Sequence, residues 1–199
     1  MDSTDTSPPR IPLPDWTPRH RFDVTAYHRM GAAGVLGSAP RVELIEGEIL
    51  EMSPSDARHI NTVIRLTMLL AGAAGKRARV SIHNPVRLDD RSEPEPDIAL
   101  LRPVSAQAKD ETPAPPDILL LVEIADSSLR YDKQIKLPLY ARHGIPEVWL
   151  VDLDQRIVEV PRAPSRGRYT QVSLSGEGDM LAASSLEQQF AETDILPRL

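Results

Sequence analysis

The chain has 199 residues, of which 41% are hydrophobic and 26% are charged, a make-up typical of a globular protein with room for one sizeable core. Its formal charge of -6 excludes a general electrostatic field that attracts polyanions, so contact with nucleic acid would have to use a local basic surface. The sequence contains no cysteine, which excludes disulfides and thiolate metal sites and fits a reducing compartment.

Residues 1–20 are polar and contain five prolines, so we interpret them as a flexible, extended arm that precedes a single domain over residues 21–199. The start of the chain has no apolar segment of the signal-peptide type, and no apolar run approaches the length of a membrane span. We therefore expect a cytoplasmic protein with no membrane partner.

Two predicted helices and a β-hairpin open the domain. A short helix is predicted over "DVTAYHRMGAAG", with Asp23 or Thr25 as its N-cap. Apolar and polar residues alternate on both sides of Glu46-Gly47, which indicates a hairpin. Residues 55–75 then predict the longest helix of the chain, capped by a serine or aspartate. Its apolar stripe comprises Ile60, Val63, Ile64, Met68 and Leu69.

Strands are predicted at about residues 78–88, 97–101 and 118–124, and the last is apolar enough to be covered on both faces of an α/β sheet. "DKQIKLPLYARHG" indicates a helix that Gly144 ends and that Pro138 kinks or shortens at its start. Two strands, "EVWLVD" and "RIVEV", follow and are joined by a turn. The last segments predict a hairpin of "RYTQVSL" with "DMLAA", and a short helical turn at "SLEQQF".

Two of these predicted strands carry one carboxylate each among aliphatic residues, Asp97 in the first and Glu123 in the second. A buried charge without a partner is costly, so each acid requires an explanation. If the strands are neighbours, both carboxylates can converge on one hard divalent cation, because Mg²⁺ is commonly held by one or two carboxylates with water and substrate phosphate. Alternatively, Asp97 is a solvated acid at a strand end and Glu123 pairs with a nearby arginine or lysine.

The order of several motifs resembles that of a known family. These motifs are "RVELIEGEILEMSP", His59, the "PD" that ends at Asp97, "VEIADSS", the spacing of Asp132, Lys136 and Tyr140, and "HGIPEVWLVDLDQR". Together they resemble the Uma2 family of restriction-endonuclease-like proteins, which belongs to the PD-(D/E)xK nuclease superfamily. The similarity extends over about residues 23–195.

The resemblance implies a restriction-endonuclease-like fold of the α/β (α+β) class, with a mixed β-sheet core flanked by helices and with β-hairpins at its edges. It also implies that Asp97 and Glu123 bind Mg²⁺, for which Mn²⁺ is the expected substitute. In that reading the bound metal activates water against a DNA phosphodiester.

The resemblance places the motif lysine away from its usual position. In the superfamily pattern a lysine stands two residues after the glutamate, whereas Ala125 occupies that position here. The corresponding residue is then Lys136, on the following helix, because a long lysine side chain can reach the same point from another part of the backbone. Lys133 lies three residues earlier on the same helical face and is the alternative.

Three further residues are candidates for accessory roles. His59 on the long helix is a candidate minor ligand or proton carrier. Tyr140 follows Lys136 by one helical turn, and Glu48 flanks the hairpin turn together with Glu43. Each also has an ordinary structural interpretation as a surface or packing residue.

Two classes of function remain open. The first is a Mg²⁺-dependent DNA endonuclease, which we expect to be a homodimer because two symmetry-related sites match the pseudo-symmetry of a duplex. The second is a nuclease-fold protein that does not cleave and that binds a nucleic acid or protein partner. The joint presence of Asp97, Glu123 and a helix lysine favours the first class, whereas the acidic net charge keeps the second open.

Overall fold

The computed structural model describes residues 16–37, 41–103 and 111–196, so most of the expected N-terminal arm lies outside the described residues. The helices are α1 (Val24–Ala32), α2 (Ala57–Ala74), α3 (Leu129–Tyr131), α4 (Leu137–Arg142) and α5 (Glu192–Ile195). The strands are β1 (Val42–Ile45), β2 (Glu48–Glu51), β3 (Arg79–Ile82), β4 (Ile98–Leu101), β5 (Ile118–Ala125), β6 (Val148–Asp152), β7 (Ile157–Ser165), β8 (Arg168–Ser175), β9 (Met180–Ala182) and β10 (Gln189–Ala191).

The central sheet has the strand order β3-β4-β5-β6-β7-β8. Strands β5 and β6 are parallel, and the other neighbouring pairs of this sheet are antiparallel. This mixed α+β architecture is the one that the sequence predicts. A parallel pair requires a crossover connection, and α3 and α4 lie within it. The crossover therefore ties the helix that carries Lys136 to the strand that carries Glu123.

Strand β5 is covered on both faces, as its apolar sequence predicts. Leu120 and Val122 belong to the core cluster that contains the buried face of α2, whereas Leu121 belongs to the cluster on the opposite face of the sheet, with Tyr140 of α4. Successive side chains of a strand point to opposite faces, so the two layers follow from alternation along one strand.

The first helix, the hairpin and the cap of α2 agree with the sequence. The Asp23 side chain accepts a hydrogen bond of 2.7 Å from the Ala26 N–H at the start of α1. Strands β1 and β2 pair in antiparallel register around Glu46-Gly47. At the start of α2, the Asp56 side chain accepts a bond from the backbone N–H of the third helical residue. Within the described residues, no helix combines the length and hydropathy that crossing a membrane would require.

The apolar stripe predicted for α2 is only partly buried, since Val63 lies in the core and Leu69 packs against it. Of its members, Ile60, Ile64 and Met68 are 46%, 54% and 71% exposed. The face that packs on the sheet contains His59, Thr62, Val63, Leu66, Leu70, Ala73 and Ala74. Leucines and small alanines occupy this face in the second half of α2 at helical spacing, and in the first half the same face turns a histidine and a threonine inward.

The helix predicted over residues 132–144 begins earlier, at Leu129, and contains a π-helical turn at Asp132–Lys136. The Leu137 N–H donates to the Asp132 carbonyl, five residues earlier. Pro138 follows directly, and a proline ring lacks an N–H and clashes with the preceding turn of a regular α-helix. The wider turn accommodates the proline within a continuous helical segment, which ends at Gly144 with a φ of 73°.

Three local predictions are wrong. Strand β3 ends well before residue 88, because His83 adopts a φ of 48° and Pro85 cannot donate to a ladder. Strand β8 pairs with β7, and β9 pairs with β10, so the last two strand segments do not form one hairpin. "SLEQQF" leads into β10 rather than forming a helical turn, because Phe190 enters the core as part of a strand pair.

Candidate active site

The register of β4 and β5 brings together the two acids that the sequence singled out. Ile98 pairs with Val122 in antiparallel register, so Asp97, at the start of β4, lies across from Glu123. Both side chains line one cavity of about 260 Å³. Both residues are also buried, at 7% and 3% exposure. The condition that the two strands be neighbours is therefore met.

Glu123 is held by two donors from the crossover helix. The Lys136 Nζ lies 3.1 Å from Oε2, and the Tyr140 hydroxyl donates a 2.5 Å hydrogen bond to Oε1. Burial raises the pKa of the Glu123 carboxyl well above its usual value, against the attraction of Lys136. The 3.1 Å contact is the ion pair with a nearby lysine that the sequence offered as an alternative. Glu123 makes this contact and also lines the cavity.

Asp97 is surrounded by donors. Its Oδ2 accepts a 2.8 Å hydrogen bond from the Ile124 N–H, and its Oδ1 lies 3.2 Å from His59 Nε2 and 3.3 Å from His83 Nε2. Burial alone would raise the pKa of this carboxyl, but the histidines and the Ile124 N–H hold it below its usual value. The alternative of a solvated acid at a strand end is wrong.

Lys136 is a buried cation among acids. Besides Glu123, its Nζ lies 3.5 Å from Glu43 Oε2, and the residue is 3% exposed. Burial alone would lower the pKa of the ammonium group, but the surrounding carboxylates raise it above its usual value. Lys136 is therefore charged at neutral pH. Its ammonium group serves as a donor and a positive charge rather than as a base.

Two more buried carboxylates complete the cluster. Glu43 on β1 accepts a 2.8 Å bond from the Tyr131 hydroxyl and a 3.1 Å bond from the Glu95 N–H. Asp132, in the π-helical turn, accepts a 2.7 Å bond from the Ser128 hydroxyl, and burial raises its pKa. Both line the same cavity as the two strand acids. Four carboxyl groups thus surround one lysine.

This donor set fits a hard divalent cation. Carboxylate oxygens are the ligands that Mg²⁺ prefers, and one or two of them suffice when water and a phosphate complete the coordination. The lining of the cavity contains more acidic than basic side chains, so a bound cation would be attracted there. Within the part of the chain that the structure describes, no group of three or more histidine, aspartate or glutamate side chains is arranged to hold a metal alone. The residues that would hold it are Asp97 and Glu123.

The structure separates the accessory candidates. His59 lines the cavity and contacts Asp97, and Tyr140 reaches the site through Glu123. Glu48 is half exposed and pairs with Arg21 at 2.6 Å, so it does not join the cluster. Lys133 points away from the cavity and pairs with Glu159 on β7 at 2.7 Å.

Sequence reasoning missed or undervalued three residues of the site. The sequence places Glu43 and Glu48 together at the hairpin turn, but only Glu43 is buried, next to the buried Leu44 of β1. Asp132 belongs to the family spacing, and nothing in the sequence gives it a role of its own. His83 follows a predicted strand without any motif, and only the fold brings it to Asp97.

Comparisons with known proteins agree with this architecture. A profile of the Uma2 family, described as "Putative restriction endonuclease", matches residues 24–195. Among solved structures, the chain is similar to "a putative nuclease belonging to DUF820" from Anabaena variabilis ATCC 29413, with a TM-score of 0.68 and 17% identity. The similarity covers 87% of this chain and 97% of that one, and at this identity it concerns the fold. No curated protein matches the sequence.

Proposed function

The chain belongs to the Uma2 family, and on this premise we propose that it is a metal-dependent DNA endonuclease that hydrolyses phosphodiester bonds. The observation that carries the proposal is the convergence of Asp97, Glu123 and Lys136 on one cavity. Two acids from adjacent strands and one buried ammonium group form an arrangement suited to an anionic transition state.

Each residue has a distinct task in this proposal. Asp97 and Glu123 hold Mg²⁺ or Mn²⁺, which supplies Lewis acidity and lowers the pKa of water when bound. Lys136 orients the attacking water or a phosphate oxygen by donating a hydrogen bond, and its charge offsets the charge that develops on the phosphate. Tyr140 and His59 fix the directions of the two carboxylates. A group that acts by position must be held rigidly, and burial provides that rigidity here.

A second function class is favoured by the mouth of the cavity. Glu51 and Asp56 line it. Asp126 also lines it but is paired with Arg58 at 2.6 Å, and the guanidinium of Arg41 is paired with Glu95 at 3.0 Å. An acidic rim repels the phosphates of a duplex unless cations screen it. A protein that retains the nuclease fold but binds a partner without cleaving it is the alternative.

Incubation with supercoiled plasmid and with single-stranded and duplex oligonucleotides separates the two functions. We expect nicked or linear products with Mg²⁺ or Mn²⁺ and none when EDTA is present, because the acids alone cannot activate water. Binding without any product, across these substrates and both metals, would favour the non-cleaving alternative.

A further inference from the structure

Helix α2 presents an apolar ridge to solvent. Ile60, Ile64 and Met68 are spaced four residues apart, which aligns them along one side of the helix. Beside the ridge runs a groove of about 900 Å³ whose lining includes Leu153, at the end of β6, and Leu196, after α5. An exposed apolar ridge beside a groove with both apolar and charged walls is a surface suited to docking a partner.

The charges at this surface point to the partner. Arg65 is exposed on α2 beside the ridge, and Asp194 is exposed in α5 on the opposite wall of the groove. Neither makes an ion pair with another described residue, whereas Arg58 in the same groove is bound to Asp126 and Asp154. A basic residue on the ridge side and an acidic residue on the far wall are complementary to a second copy of the same surface.

We propose that a second copy of this chain docks on the α2 face in a two-fold, isologous contact. When a two-fold axis relates two copies of a surface that carries a ridge beside a groove, the ridge of each copy can enter the groove of the other. The two α2 helices would pack antiparallel with Ile64 near the axis, and Arg65 of each copy would face Asp194 of its partner. Rows of residues spaced by four interdigitate at a crossing angle of about −50°.

Such packing has a consequence for the proposed nuclease, although the dimer itself does not depend on that function. His59, in the cavity, precedes Ile64 by five residues, or about 7.5 Å along the helix at 1.5 Å per residue. Because His59 faces the sheet and the ridge faces the partner, the two cavities would lie on the outer sides of the helix pair, more than about 15 Å apart.

Because the natural sequence has no cysteine, single cysteines can report the contact. Ile64→Cys is expected to form a disulfide-linked dimer under mild oxidation, because symmetry places the two thiols together. Val172→Cys is the matched control, since Val172 is 55% exposed on the edge strand β8. A cross-link at both positions to the same extent, or only at the control, would overturn the proposal.

Sedimentation equilibrium at micromolar concentration provides the second measurement. We expect the wild type to dimerise, and Met68→Glu to weaken dimerisation by roughly tenfold or more, because a charge would replace an apolar contact at the interface. Val172→Glu should leave the dimer unchanged. A wild-type monomer throughout, or equal dimerisation of Met68→Glu and the wild type, contradicts the assignment. Circular dichroism confirms that each variant is folded.

A separate observation concerns His83, whose backbone lies in the left-handed region at a φ of 48°. Its N–H donates a 3.1 Å bond to the Asp97 carbonyl, and its Nε2 lies 3.3 Å from Asp97 Oδ1. The imidazole stacks on that of His59, with ring centroids 6.3 Å apart and an angle of 12° between the planes. A non-glycine residue with this φ is strained, and such strain concentrates at functional sites.

We infer that His83 is a positioning residue that holds the Asp97 carboxylate in its metal-binding direction. This role rests on the proposed function. Two imidazoles approach the same oxygen, Oδ1, from different parts of the chain, so its direction depends on both. Outer-shell groups that orient a ligating carboxylate typically contribute 10–100-fold to metal affinity or activity.

The variant His83→Gly separates this role from a structural one, because glycine accepts the same φ and keeps the backbone N–H. We expect its thermal midpoint to stay close to that of the wild type while its affinity for Mn²⁺, measured by calorimetry, falls roughly 10–100-fold. Unchanged affinity, or a loss of affinity that only accompanies unfolding, would overturn the assignment. A wild type that binds no Mn²⁺ would reject the proposed function as well, so the two failures are distinguishable.

Discussion

Asp97→Asn and Glu123→Gln are each expected to remove Mn²⁺ binding and DNA cleavage together. Both substitutions keep the shape of the side chain and remove its charge, so the packing of the buried site is largely preserved. The loss of cleavage should be on the order of a thousandfold or more, because a metal that no longer binds supplies neither Lewis acidity nor an activated water. Calorimetry with Mn²⁺ and nicking of supercoiled plasmid measure the two effects.

The matched control is Glu48→Gln, an acid of the hairpin that lies outside the cluster and pairs with Arg21. It should bind metal and cleave as the wild type does. Cleavage that persists in Asp97→Asn or Glu123→Gln would reject the assignment of these acids, whereas loss of cleavage with full Mn²⁺ affinity would assign the metal to other ligands.

The pH dependence of binding follows from the same site. Burial raises the pKa of Glu123, so the carboxyl retains a proton to higher pH than an exposed glutamate does. A metal must displace this proton, and its affinity should therefore fall as the pH is lowered through that raised pKa. Asp97 has a lowered pKa and should contribute nothing to this fall in the same range.

The sequence alone could indicate that Asp97 and Glu123 belong to one site, because each acid interrupts an apolar strand and a charge in such a place requires a partner. Lys136 could be assigned to the site only through the family resemblance, because nothing in its local sequence distinguishes it from Lys133. The fold distinguishes them. The π-helical turn before Pro138 rotates Lys136 into the protein and leaves Lys133 on the outside.

The remaining members of the site depend on contacts between distant parts of the chain. Glu43 reaches Lys136 from a hairpin 93 residues earlier, and His83 reaches Asp97 only because β3 ends in a left-handed residue. The buried face of α2 differs from the predicted one for a related reason. Counting apolar residues favoured the row through Ile64, whereas packing against the sheet selected the row with Leu66 and Leu70. Local periodicity does not specify which of two apolar rows meets the rest of the fold.

The two helix lysines provide the sharpest test of the mechanism, since they lie three residues apart in opposite surroundings. Lys136→Met should retain metal binding, because the substitution removes no carboxylate, and Mn²⁺ affinity should persist or increase when a neighbouring positive charge is deleted. The cleavage rate should fall on the order of a hundredfold or more, because a positioned donor to the transition state is lost. Calorimetry and single-turnover cleavage of one oligonucleotide substrate separate these two effects.

Lys133→Met is the control, and the structure predicts near wild-type cleavage and metal affinity for it. The Lys133 side chain is 41% exposed, and its ammonium group pairs with Glu159. Such surface ion pairs contribute little to stability, about 0–1 kcal/mol. The Lys136 side chain is only 4% exposed, so its removal leaves Glu123 and Glu43 without their shared cation. A metal ion bound at the acids would then compensate for the missing charge, which is why binding and catalysis should diverge in Lys136→Met. If Lys133→Met loses cleavage and Lys136→Met does not, the other lysine acts. If neither variant loses it, no helix lysine takes part, and the role of a relocated lysine in the proposed mechanism must be abandoned.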